Sequence, residues 1–183
     1  LGARTSFIYV RGEYMYVIRI LERAIEEARA AGLVGKNILG TDYSLELYVQ
    51  PGGGAYICGE ETALIASIEG RRGMPSIRPP FPAISGLWGC PTLINNVETL
   101  FWVRDIVEKG PGWWKSHGRN DRVGLRSYSV SGRVRNPGVK LARSGVTGRE
   151  LIDEFCRGMA DGHTFHAYLP GGASGGILPA AMS

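Results

Sequence analysis

Residues 71–92, RRGMPSIRPPFPAISGLWGCPT, hold five prolines and several glycines and cannot form regular structure. The run is long for a loop in a compact domain, and long ordered loops are usually functional. Helices and strands must therefore be assembled on either side of it.

Upstream, SFIYVRG reads as a strand. A helix is expected over 14–28, where Tyr14, Val17, Ile18, Leu21, Ile25 and Ala28 recur at helical spacing. Gly32 stands where a C-terminal cap belongs. LELYV at 45–49 alternates too little to be half-exposed and is read as a buried strand. The stretch GGGAYICGEETALIASIEG, residues 52–70, then turns into a helix of about 60–69 with Leu64, Ile65 and Ile68 on one face. Strand, helix, strand, glycine-rich turn and helix describe an α/β layer with a parallel sheet.

Downstream, Asn95 followed by Glu98 resembles a capping box. The helix it opens has Val97, Leu100, Phe101, Val103 and Val107 as its expected buried side and Gly110 as its end. After GRNDRVG the texture changes. SYSVSGRV and VKLA read as strands around a turn with Pro137 and Gly138 at its centre, of type II. Thr147 and Glu150 frame another capping box for a helix over 148–157 that buries Leu151, Ile152 and Phe155. FHAYLP is a third strand, and GGASGG at 171–176 a flexible turn. Hairpin, helix and strand form a small α+β module of β-grasp type. Two domains are therefore expected, 1–118 and 119–183, with the joint near 118–124.

With 183 residues and 44% hydrophobic side chains, the composition is that of a soluble protein with a core. No run approaches the roughly 18–20 apolar residues of a membrane span. LGARTSFIYVRGEY lacks both an initiator methionine and a signal-peptide layout, so a piece of a longer chain is expected. The net charge of +4 favours anionic ligands in general. Arg119, Arg122, Arg126, Arg133, Arg135, Lys140, Arg143 and Arg149 read as a solvated or docking face in preference to a nucleic-acid surface. Cys58, Cys90 and Cys156 form no C-x-x-C pair, and His117, His163 and His166 have no ligand spacing with them. Neither a metal site nor a disulfide framework is expected, and a reducing, cytosolic compartment is.

The glycines Gly52, Gly53, Gly54 and Gly59 permit close backbone approach at a helix N-terminus, as a plain turn or as a cofactor loop. The G-x-G-x-x-G register and the phosphate-loop lysine are missing. Glu60 and Glu61 suit the first helical turn through the macrodipole alone. Neighbours on a helix point about 100° apart, so they make a poor acid/base couple. Asn95 and Asn96 fit capping, and their amides fit a polar ring edge or phosphate equally. Phe81, held in RPPFP, is presented on an extended loop with Arg78 three residues upstream. That pair suits a nucleotide, base on ring and phosphate on cation; a hydrophobic plug is the competing explanation.

FIYVRGEY, EARAAGLVGKNILGTDYSLELYV, GAYICGEETALIASIEGRRGMP, RPPFPA, GLWGCPTLINNVETL and YSVSGRV resemble the NADH-binding flavoprotein subunit of respiratory complex I and its soluble relatives. The resemblance covers nearly the whole chain in one order. FWVRDIVEKGPGWWKSHGRNDRVGLRSYSVSGRV and YLPGGASGGILPAAM look most like the β subunit of NAD-dependent, molybdenum- or tungsten-containing formate dehydrogenases. The matching subunit of NAD-reducing hydrogenase is the nearest competitor.

The resemblance implies a partial Rossmann-like flavin domain followed by a ubiquitin-like β-grasp domain of the soluble-ligand-binding kind. It implies FMN against Gly54, Tyr56, Gly59, Glu60 and Glu61, with Asn95, Asn96 and Thr99 holding it from the other loop. Glu61 would also contact NAD(H), Phe81 would stack on its adenine, and Arg78 takes a place often filled by lysine. Hydride transfer needs nicotinamide and flavin stacked within about 3–3.5 Å, and no side chain need act as nucleophile. Implied partners are iron–sulfur subunits of a multisubunit dehydrogenase: a thioredoxin-like [2Fe–2S] γ subunit and a catalytic α subunit. The resemblance puts another glycine-rich loop before Leu1 and the cysteines of a [4Fe–4S] centre after Ser183. The 183 residues alone are therefore expected to hold FMN weakly or not at all.

Overall fold

The computed structural model describes residues 2–172 and 175–182. Residues 173 and 174 of the expected turn at 171–176 lie outside the described residues. The chain divides into two compact units, Leu1–Ile94 and Asn95–Ser183. Helices and two-stranded sheets alternate in an α/β arrangement, as expected.

In the first unit, strand β1 (Thr5–Val10) and strand β2 (Glu46–Pro51) run parallel, with Thr5 opposite Glu46 and Val10 opposite Pro51. Helix α1 (Met15–Ala30) makes the crossover that a parallel pair requires. Ile18 and Ile25 are its buried residues. Tyr14, expected on that face, is instead the N-cap and 43% exposed, because the helix starts one residue later. Gly32 closes α1 with φ +70°, donating to Arg29 while Leu33 donates to Ala28. This pairing satisfies the last carbonyls of the helix.

Helix α2 (Glu61–Ile68) follows the glycine-rich turn. Its buried residues are Thr62, Ala63, Ile65 and Ala66, whereas Leu64 and Ile68 are only half-buried. Small side chains let α2 sit close to its surroundings, so its deepest face differs from the one its large residues marked. Residues 71–92 contain one short 3-10 turn, Leu87–Gly89, and are otherwise irregular. At the mouth of the sheet Gly12 and Gly52 touch backbone to backbone: a Cβ on Gly12 would stand 2.4 Å from the Gly52 carbonyl oxygen.

The second unit opens with helix α3 (Val97–Lys115), which kinks at Gly110 (φ 82°) and restarts at Pro111. Proline tolerates a helix start because its missing N–H is not needed there. The expected end at Gly110 is thus a kink. Val97, Leu100, Phe101, Val103 and Val107, expected to be buried, are exposed. The helix is tied down through Glu98, whose carboxylate accepts the Ser127 N–H at 2.6 Å, while within the helix Trp102 meets Trp114 across the kink at 5.4 Å between ring centres.

Strands β3 (Leu125–Val130) and β4 (Gly138–Arg143) form an antiparallel hairpin. Its connection is longer than the expected turn, because residues 133–136 pair with the 156–160 segment: Asn136 donates to Cys156, Arg135 to Gly158, and Ala160 to Arg133. Gly138, with φ +120°, adopts a conformation that side chains resist. The Thr147–Glu150 capping box is present and opens the short helix α4 (Gly148–Glu150), which continues as a π turn over Leu151–Phe155. Leu151, Ile152 and Phe155 are half-buried there, and Cys156 is wholly enclosed. Strand β5 (Ala167–Tyr168) pairs with β6 (Leu178–Pro179). Helix α3 falls in the second compact unit, ahead of the 118/119 boundary expected from sequence. Among the described residues no helix is long and apolar enough to cross a membrane, and no group of three or more His, Cys, Asp or Glu could hold a metal ion.

Candidate functional site

The turn after β2 is anchored where it leaves the sheet: the Gly52 N–H donates to the Val10 carbonyl at 2.7 Å. Behind it stands Tyr9, whose hydroxyl is 2.9 Å from the Ser67 hydroxyl on α2 and whose burial raises its pKa. A Cβ on Gly52 would meet the Tyr9 hydroxyl at 2.4 Å, so any side chain there would have to push the Tyr9 ring aside. Gly54 takes φ +82°, and a Cβ there would touch Glu13 at 3.4 Å. Gly53 and Gly59 face open space, with nothing within 4 Å of a Cβ at either position. A 3-10 turn, Tyr56–Gly59, leads on to α2 and leaves the Tyr56 ring 78% exposed. Tyr56, Ile57, Gly59 and Glu60 line an open depression of about 430 Å³.

Glu60 departs from the expectation that both carboxylates lie inside the first helical turn. It is the N-cap, in extended conformation (φ −80°, ψ 136°). Its Oε2 accepts the backbone N–H groups of Thr62 (2.9 Å) and Ala63 (3.0 Å) as well as the Thr62 hydroxyl. The 100° divergence of helical neighbours therefore does not apply, and both carboxylates reach one cation. Arg78 pairs with Glu61 through Nη1 and lies 3.5 Å from Glu60 Oε1 through Nη2. The Thr62 hydroxyl, then the two backbone N–H groups and Arg78, hold the Glu60 carboxyl below its ordinary value against the opposing effect of burial.

Arg78 arrives on the proline-rich loop, whose peptides Arg78–Pro79 and Pro79–Pro80 are cis. Two side chains, Thr62 in α2 and Glu69 at its C-cap, fasten this loop. Thr62 Oγ1 accepts the Ser76 N–H at 2.9 Å, and Glu69 Oε1 accepts the Trp88 N–H at 2.7 Å. Phe81 follows Arg78 on the same loop and is 53% exposed, its carbonyl accepting the N–H groups of Ile84 and Ser85.

Of the residues singled out from sequence, Glu60, Glu61 and Arg78 are in direct contact, and Tyr56 and Gly59 border Glu60. Asn95, Asn96 and Thr99 belong to the second unit, exposed at the start of α3. Asn96, not Asn95, is the cap: its Oδ1 accepts the Glu98 N–H at 2.8 Å. The Glu98 side chain turns away to Ser127, so the box expected from Asn95 and Glu98 does not form. Sequence reasoning missed Thr62 and Tyr9. The pattern Glu-x-Thr ahead of an apolar run was the available signal for Thr62; nothing local marks Tyr9.

A family model described as the Nuo51 FMN-binding domain matches residues 1–105. The F subunit of NADH-quinone oxidoreductase in Mycobacterium tuberculosis is 51% identical over 178 residues, which is 97% of this chain and 40% of that protein. The protein of the same name in Escherichia coli is 49% identical over 181 residues, 99% of this chain and 41% of that one. A crystal structure of NAD+-reducing [NiFe]-hydrogenase in the H2-reduced state superposes with a TM-score of 0.82 at 38% identity, covering 98% of this chain and 29% of that chain. The chain thus spans about 40% of the length of these two oxidoreductase relatives. With more than half of its residues matched by that model, this chain belongs to the Nuo51 FMN-binding domain family.

Proposed function

We propose that this chain is part of a diaphorase-type flavoprotein subunit that passes hydride between NAD(H) and FMN and exchanges single electrons with an iron–sulfur chain. The observation that carries the reading is the convergence of Glu60, Glu61 and Arg78 beside an open depression lined by Tyr56, Ile57, Gly59 and Glu60. The residues present suit a flavin: Gly53 and Gly59 leave room for a flat ring, and Tyr56 offers an aromatic wall. When bound, FMN supplies the conversion between paired and single electrons. The polypeptide binds and orients. Backbone at Gly54 and Gly59 approaches the ring, and Glu60, kept ionised by its cap role, fixes the start of α2. Glu61 meets the nicotinamide nucleotide, Phe81 gives the adenine a face to stack on, and Arg78 balances the two carboxylates and faces phosphate. The amides of Asn95 and Asn96 and the Thr99 hydroxyl offer polar contacts to the same class of ligand.

The finer reading is the β subunit of an NAD-dependent formate dehydrogenase, supported by the sequences of segments 101–134 and 168–182. The structural similarity to NAD+-reducing hydrogenase favours that enzyme as the alternative, with respiratory NADH:quinone oxidoreductase as another. The proposed partners are the iron–sulfur γ subunit and the catalytic α subunit in the cytoplasm, with 1–118 as flavin domain and 119–183 as β-grasp domain. NADH-driven ferricyanide reduction by the full-length subunit in its assembly tests the reading. Glu61→Gln and Phe81→Ala are each expected to abolish it. Full activity in both variants leaves a non-catalytic ligand-binding module as the better account.

A further inference from the structure

We infer that Thr62 is a positioning residue: its hydroxyl sets where the proline-rich loop, and with it Arg78 and Phe81, stands relative to the carboxylates at the start of α2. Thr62 is 8% exposed, the buried polar residue of α2. Its hydroxyl has two partners of fixed polarity. The Ser76 amide only donates and the Glu60 carboxylate only accepts, so the Thr62 proton must point at Glu60 Oε2. Two residues beyond Ser76, Arg78 returns to the other oxygen of the same carboxylate and to Glu61. Loop and helix start are thereby joined in a closed circuit: Ser76 to Thr62, Thr62 to Glu60, Glu60 to Arg78, and along the chain back to Ser76.

The loop's other fastening, Trp88 to Glu69, does not touch Glu60 or Glu61. Displacing Ser76 shifts Arg78 and Phe81, whereas releasing Trp88 acts at the far end. Valine copies the shape of threonine without the hydroxyl, and serine keeps the hydroxyl without the methyl. The functional half of this inference rests on the NAD(H) reading above; its structural half does not.

The test uses Thr62→Val and Thr62→Ser in the full-length protein with its flavin and partner subunits. Amide hydrogen exchange, read over 74–82, is expected to rise several-fold in Thr62→Val and to stay near wild type in Thr62→Ser. The KM for NADH is expected to rise several-fold in Thr62→Val, with kcat and FMN content retained, and to recover in Thr62→Ser. Wild-type exchange in Thr62→Val overturns the proposal. So does raised exchange with an unchanged KM when Arg78→Lys does raise KM. If neither Arg78→Lys nor Thr62→Val changes KM while exchange rises, the NAD(H) reading fails and the positioning of the loop stands. Should Thr62→Val fail to fold, Ser76→Pro removes the donor from the loop side, and a normal KM there overturns the proposal.

Discussion

Tyr9 and Ser67, 58 residues apart in sequence, share a 2.9 Å hydrogen bond that joins β1 to α2. The bond holds the Tyr9 ring where a side chain at position 52 would have to go. Gly52→Ala is therefore expected to destabilise by roughly 1–3 kcal/mol through overpacking. Gly53→Ala, with open space around it, is expected to change stability by no more than about 0.5 kcal/mol. Melting temperatures of the two variants, measured side by side, check the contrast; equal losses would count against it.

Arg78→Lys keeps the charge but loses the fork that reaches two carboxylates at once. The ion pairs are partly exposed, so fold stability is expected to fall by less than about 1 kcal/mol. The KM for NADH is expected to rise roughly tenfold, the equivalent of about 1.4 kcal/mol of binding. Steady-state kinetics beside a thermal melt separate the two effects.

Acid should weaken the start of α2. Hydrogen bonding from Thr62, foremost among the causes, lowers the folded-state pKa of Glu60, so the folded protein holds this proton less tightly than the unfolded chain does. Its stabilising contribution is complete above the unfolded-state pKa of about 4.3 and is lost as pH falls through the lower folded-state value. Glu69, held low first by Arg71 and then by the Trp88 N–H, acts in the same direction. Glu60→Gln is expected to flatten the acid limb of a melting-temperature profile while lowering stability at neutral pH. An unchanged acid limb would falsify this assignment.

In the second unit, Thr147→Ala removes half of the capping box, in which Thr147 Oγ1 accepts the Glu150 N–H at 3.2 Å and Glu150 returns to the Thr147 N–H at 2.8 Å. The expected cost is about 1 kcal/mol. It should appear as faster amide exchange through 150–156, the turn that encloses Cys156.

Much of this was readable from spacing. Ile18 and Ile25 mark the buried stripe of α1, and Gly32 ends it because the closing position needs a left-handed residue. Thr147 and Glu150 announce their box by residue type alone. The errors share a cause: the deciding partner lies far away in sequence. Glutamate is not among the favoured caps, so Glu60 reads as helical until Thr62 and Arg78 are seen around it. Asn95 and Asn96 differ only in register. The apolar positions of α3 have helical period, but period shows that a face exists and not what covers it. For the candidate site, residue type pointed to the glycine-rich turn and to RPPFP separately. Their meeting through Arg78 and Thr62 had no local signature, since an irregular loop carries no periodicity to say where it lies.

The contact between Gly12 and Gly52 restricts the chain in an unusual way. The obstacle to a side chain at position 12 is a peptide oxygen, which every amino acid carries. No exchange at position 52 can make room for it, so relief by a second mutation there is closed off, and only a rerouted main chain would release the requirement.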